Sequence, residues 1–214
     1  MSTDYKVRFR PYAKVSELAL DARRKLGVAH LFSFNIIRLI DGLVGKTFGR
    51  LGELHLDIFD DHPEHLAYVS FNPLTLHVDK EIWKLAGLGE PKSRFVLAHE
   101  LVHLLMHEHH EQAYSEDGSG RLTFIQPEES AETQANWFAA CLLAPDHLAR
   151  ECGDETELCL QFDFPEDYAS IRLDDMSRNA PKRSGATCST CGNLMITRTD
   201  SRTTCETCEL LASK

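Results

Sequence analysis

The stretch Arg94-Phe95-Val96-Leu97-Ala98-His99-Glu100-Leu101-Val102-His103-Leu104-Leu105-Met106-His107 decides how this chain is read. Its apolar residues frame three polar ones at helical spacing. His99 and His103 are four residues apart, so on a helix they lie one above the other, with Glu100 beside them. His-Glu-x-x-His on a helix is a coordination geometry: two imidazoles aim one nitrogen each at a single zinc ion, and the glutamate flanks the water held there. The helical pattern runs over 92–109, after Gly87 and Pro91.

A zinc site built for hydrolysis needs a third protein ligand and leaves one position for water. Two residues compete for that role. His109 stands six residues after His103, the metzincin offset. That arrangement needs a glycine three residues after the second histidine to turn the chain, and Met106 occupies the place. A helix continuing through Met106 carries His109 away from the metal. The other candidate, Glu132, lies on a helix opened by Gln126-Pro127-Glu128-Glu129 and stopped by Pro145. Asn136, four residues on, shares its face and is placed to orient a ligand histidine. Helix geometry favours Glu132, with His109 as the alternative. Tyr114, His107, His109 and His110 are near enough in sequence to supply an oxyanion donor, a role the sequence leaves unassigned.

The 94–107 stretch, taken with Glu132-Thr133-Gln134-Ala135-Asn136-Trp137-Phe138-Ala139-Ala140-Cys141-Leu142-Leu143-Ala144-Pro145, resembles the ImmA/IrrE family of zinc metallopeptidases over roughly residues 60–147. Val102 departs from the glycine common before the second histidine, and Ala144 from a bulkier residue before the proline; neither change removes a catalytic group. The resemblance implies a gluzincin-like enzyme with His99, His103 and Glu132 on zinc and Glu100 as general base. It also implies a narrow substrate, a helix-turn-helix transcriptional repressor. Its cleavage would release phage, mobile-element, defence or stress-response genes.

Outward from this core, Val15, Leu18, Ala19, Ala22 and Leu26 predict an amphipathic helix over 14–26, and 35–44 a second. Alternation over 54–58, then 67–71 and 74–78 separated by Asn72-Pro73, predicts a small antiparallel sheet of about three strands. Its edge offers an extended substrate segment a place to add. Residues 115–120 read as a loop and 165–178 as a short helix. The fold class is therefore α+β, zincin-like, with active-site helices packed on the small sheet. Composition over 179–186 reads as a linker, which separates a metallopeptidase domain (1–178) from a small module (187–214).

That module carries Cys188-x-x-Cys191 and Cys205-x-x-Cys208, the pattern of a four-cysteine zinc ribbon. Four thiolates close a tetrahedral site with no position for water, so this zinc is structural and the chain is expected to hold two zinc ions. A segment this short does not fold on an apolar core alone. Of the remaining cysteines, Cys141 reads as a small hydrophobe, while Cys152 or Cys159 is a candidate inhibitory ligand for the open zinc position.

The 214 residues, 43% hydrophobic and 26% charged, have ordinary globular composition and exclude a disordered or disulfide-dominated chain. A net charge of −10 argues against whole-surface binding to DNA or anionic membrane. A local exception is Arg178, Lys182, Arg183, Arg198 and Arg202, with only Asp200 interspersed. This patch reads either as a site for single-stranded DNA, the activating ligand that the family's response to DNA damage implies, or as a charged solvated tail docking on the acidic domain. Asp4, Lys6, Arg8 and Arg10 break up any signal-peptide-like run at the N-terminus, and no later window is apolar enough to span a bilayer, so a cytoplasmic protein is expected. The competing reading is a non-catalytic sensor with two structural zincs, against which Glu100 argues because a structural site needs no base.

Overall fold

The stripe of Val15, Ala19 and Arg23 is buried along α1 (Tyr12–Lys25), which ends in Arg23, Arg24 and Lys25 and then turns at Gly27 with φ 72°. The structure, a computed structural model, describes residues 4–60, 66–106, 125–179, 182–197, 203–205 and 208. They belong to two compact units, Met1–Leu173 and Asp174–Lys214, and mix helices with two small sheets. Among them no helix is long and apolar enough to cross a membrane.

In the first unit, α2 (Ile36–Leu43) starts at Asn35, whose side chain accepts from the Arg38 N–H at 3.2 Å. Strands β1 (His55–Phe59), β2 (Ala67–Phe71) and β3 (Leu74–Asp79) follow, in the spatial order β1-β3-β2. The antiparallel expectation holds only for the β2–β3 hairpin; β1 pairs with β3 in parallel, so the sheet is mixed. The cause is burial. Leu74, Leu76 and Val78 of β3 are all inside, and the most apolar strand takes the central position, with β1 on its free edge. On the polar face His77 is fixed by Asp57 (2.8 Å) and Ser70 (3.0 Å) and stacks on Tyr68.

Asp79 ends β3 and caps α3 (Lys80–Gly87) by accepting from the N–H groups of Glu81 and Ile82. Helix α4 (Pro91–Met106) opens with proline, and Glu90 caps it by accepting from Ser93 N at 2.6 Å and Lys92 N at 3.1 Å. Its residues Phe95, Leu97, Ala98, Leu101, Val102 and Leu104 are buried, which is why it reads as apolar nearly all round. The helix packs on β2, α3 and α5 (Ala131–Leu143). Ala131, Ala135 and Ala139 recur every four residues on α5 and are fully buried, so small side chains let α5 lie close against its neighbours α1 and α4. Short helices α6 (Asp146–Ala149) and α7 (Glu155–Phe162) lead into α8 (Glu166–Arg178).

Three buried arginines tie the helices together. Arg23 donates to the carbonyls of Leu142 (2.6 Å), Val28 (2.8 Å) and Leu31. Arg94 of α4 donates to Phe162 O (2.9 Å), Asp163 O (2.7 Å) and Phe34 O (3.3 Å). Arg172 of α8 donates to Ala144 O and Tyr12 and pairs with Asp146. Each guanidinium satisfies carbonyls that burial has cut off from water.

The second unit contains an antiparallel sheet, β4 (Lys182–Thr187), β5 (Leu194–Thr197) and β6 (Thr203–Thr204), in sequence order. Residues 182–186 of the stretch whose composition resembles a linker form β4 together with Thr187.

Candidate metal centre

Helices α4 and α5 place His99, His103 and Glu132 against one another, with one donor atom of each inside a group spanning no more than 4.8 Å. The two Nε2 atoms are 3.3 Å apart; Glu132 Oε2 lies 3.2 Å from His99 Nε2, and Glu132 Oε1 4.0 Å from His103 Nε2. Ligands about 2.0–2.1 Å from a tetrahedral zinc are separated by ~3.3 Å from each other, so the donor set has the spacing such an ion requires. The other nitrogen of His99, Nδ1, is 3.0 Å from Asn136 Oδ1. With the proton on Nδ1 donated to Asn136, the Nε2 lone pair is left for a metal.

Electrostatics reflect this crowding. Burial works against charge on His99, but its hydrogen bond to Glu132 and the charges of Glu100 and Glu132 outweigh it, and its pKa is raised. For His103, burial and the charge on His99 act together and push the value down to about 4. Two nitrogens 3.3 Å apart do not both carry protons, and the carboxylate sides with His99. Half-buried Glu100 is pushed up to about 7, first by desolvation and then by Glu132, against the opposing pull of His99. A carboxylate so placed gains or loses a proton near neutrality.

A second group of donors lies in the other unit. The sulfurs of Cys188, Cys191, Cys205 and Cys208 are also mutually within 4.8 Å, with Cys188–Cys208 at 3.7 Å and Cys191–Cys205 at 3.3 Å. Those separations exceed an S–S bond and approach the ~3.8 Å between thiolates that share a tetrahedral zinc at about 2.3 Å. The first Cys-x-x-Cys turn is closed by Gly192 N–H donating to Cys188 O (2.9 Å), with Gly192 at φ 75°, where a side chain is strained. Backbone N–H groups of Cys191 and Thr190 lower the Cys188 thiol to about 6.

Residues 55–157 match the Peptidase M78 family model, described as the IrrE N-terminal-like domain. That span contains His99, Glu100, His103 and Glu132 and stops short of the four cysteines. No curated protein and no solved structure matches the chain. The match supports a peptidase of metal-dependent type for this segment, and both donor groups are compatible with zinc.

The remaining sequence candidates fall as follows. His107, His109, His110, Tyr114, the loop 115–120, Arg198 and Arg202 lie outside the described residues. Arg178 ends α8, exposed and 3.1 Å from Asp174; Lys182 and Arg183 are on β4. Cys152 Sγ is directed at Gln161 Oε1 (3.7 Å), and the metal-competent group of the first unit contains neither it nor Cys159. Cys141 is buried against Tyr12. Sequence reasoning missed Ser130, which caps α5 by accepting from Thr133 N at 2.9 Å. A serine one residue before a helical run was the available signal.

Proposed function

We propose that this chain is a zinc-dependent endopeptidase of the ImmA/IrrE type, gluzincin-like, that cleaves a helix-turn-helix transcriptional repressor. Its cleavage derepresses phage, mobile-element, defence or stress-response genes. The observation that carries the reading is the convergence of His99, His103 and Glu132 beside half-buried Glu100, within the segment that matches the peptidase family model. In this reading residues 1–178 are a zincin-like catalytic domain, 179–186 a linker and 187–214 a zinc ribbon with a second, structural zinc on Cys188, Cys191, Cys205 and Cys208. The protein acts in the cytoplasm, and single-stranded DNA on Arg178, Lys182, Arg183, Arg198 and Arg202 is the activating ligand.

Each residue has a distinct task. His99 and His103 present neutral Nε2 atoms, and Glu132 adds a negative charge to the ligand set. Asn136 holds the His99 ring in the tautomer that keeps Nε2 unprotonated. When bound, zinc supplies Lewis acidity, lowering the pKa of a water towards about 7 and polarising a peptide carbonyl. Glu100 takes the proton of the attacking water and returns it to the leaving amine. Edge strand β2 gives an extended substrate segment a row of backbone groups to pair with.

The test is incubation of the zinc-loaded chain with the helix-turn-helix protein encoded beside it, with and without single-stranded DNA, followed by intact-mass analysis. Fragments that form with the native chain and vanish with Glu100→Gln, which keeps its zinc, are the expected result. Equal fragmentation by Glu100→Gln, or none from either protein in the presence of DNA, refutes the reading.

A further inference from the structure

Glu132 is the second residue of α5, in a first turn whose N–H groups have no partner within the helix. A carboxylate on a fraying turn samples many positions, and fixing it opposes metal binding. Here the partners come from the start of the chain. Ala131 N–H donates to Tyr5 O at 3.0 Å, Glu132 N–H to Asp4 Oδ1 at 3.1 Å, and Thr133 N–H to Ser130 Oγ at 2.9 Å. The Ser130 hydroxyl in turn donates to the other oxygen of Asp4, Oδ2, at 2.8 Å. One carboxylate therefore holds both the backbone of Glu132 and the cap residue of its helix.

The segment that carries Asp4 is itself fastened along the approach to α5. Val7 N–H donates to Glu129 O and Arg10 N–H to Glu128 O, each at 2.8 Å, and Lys6 pairs with Glu129 at 2.9 Å. Fully buried Gln134 donates to Arg8 O (2.9 Å) and Glu128 O (2.7 Å), bridging the two segments. This is more backbone pairing than a tail needs merely to cover a surface. It ends on the residue before a metal donor and on that donor's own amide.

We propose that Asp4 is a positioning residue for Glu132 and that residues 4–10 are a strap that pre-organises the third donor of the metal centre. The inference rests on the metal-site reading of His99, His103 and Glu132. Asp4 touches neither metal nor substrate; it acts through the Glu132 backbone. Loss of the carboxylate leaves the donor atoms present but the turn beneath Glu132 loose. The cost falls on metal affinity, in the range of 10–100-fold seen when groups that orient metal ligands are removed.

Cobalt(II) titration of the full, metal-stripped chain tests it. The visible absorption that each protein loses when His99→Ala is added isolates the histidine–carboxylate site from the thiolate site, whose sulfur-to-cobalt charge-transfer band serves as an internal reference. Asp4→Ala is expected to weaken cobalt at the first site at least tenfold, to alter its visible band shape and to leave the thiolate site untouched. Asp4→Asn is expected to restore affinity to within about threefold, because its Oδ1 still accepts from Glu132 N–H and its amide still meets Ser130. Should Asp4→Ala fail to fold by circular dichroism, Asp4→Ser, whose single hydroxyl cannot hold both Glu132 N–H and the Ser130 hydroxyl, gives the same reading. Native affinity and band shape in Asp4→Ala, or in Asp4→Ser in its place, overturn the proposal. If the native chain shows no His99-dependent cobalt spectrum, the metal-site reading falls and the proposal falls with it.

Discussion

Asn136 lies beside the candidate donors His99, His103 and Glu132 and makes contact with one of them. Its Oδ1 accepts from Nδ1 of His99 and fixes which ring nitrogen faces Glu132 and His103. Asn136→Ala removes that acceptor and frees both tautomer and ring rotation, so zinc affinity at this site is expected to fall by about 10–100-fold. Competition with a chelator measures it, and an unchanged constant refutes the assignment. At this scale the sequence is highly legible. The spacing of His99 and His103, and of Glu132 and Asn136, is dictated by helix geometry, so residues four apart had to share a face. Asp4 was not legible: its partner is 128 residues away, and no local pattern reports a contact of that kind.

Among the elements, α4 owes its place to packing and to one cation. Arg94 is 1% exposed, and its guanidinium meets three carbonyls, including those of Phe162 and Asp163 at the end of α7. Arg94→Leu leaves those carbonyls buried without donors, and the expected cost is about 2–3 kcal/mol. For a domain of this size that lowers the melting temperature by about 4–12 °C, readable by calorimetry. A second joint links α1, α6 and α8. Desolvation alone would raise the pKa of Asp146, but Arg172, Ser16 and Tyr12 more than offset it, and the value is lowered below the ordinary 3.8. A lowered folded value means that the stabilisation is fully present above pH 3.8 and is lost as pH falls through the folded value. Asp146→Asn strands the Arg172 charge, so it is expected to cost about 3 kcal/mol at neutral pH and to flatten the acid limb of the stability profile. Helices α1, α2, α4 and α5 were readable from periodicity and from Gly27, Pro91 and Pro145. Helix α6 was not, because four residues carry too little period. The parallel β1–β3 pairing escaped because strand direction depends on which strand takes the centre, a tertiary choice.

The whole molecule divides its charge unevenly. The chain carries −10 overall, yet five of its 23 lysines and arginines fall between residues 178 and 202, facing one acid inside the span. If, as proposed, the four cysteines hold one metal, the segment needs no apolar core, and its surface is left free to be basic. Removing that metal is therefore expected to unfold residues 174–214 while Met1–Leu173, with its own core, keeps its amide protection by hydrogen exchange. Binding of single-stranded DNA should depend on the same fold, because Lys182 and Arg183 belong to β4. If all five cations neutralise one phosphate each, log K against log salt has a slope of about −3.5, taking ~0.7 per contact for single strands. Lys182→Glu with Arg183→Glu is expected to shallow that slope by at least about 1.4 and to weaken binding at low salt. Fluorescence anisotropy of a labelled oligonucleotide across a salt series reads both quantities. A slope near zero in the native chain, or one the double reversal leaves unchanged, removes DNA from the account and leaves the basic segment as a solvated surface.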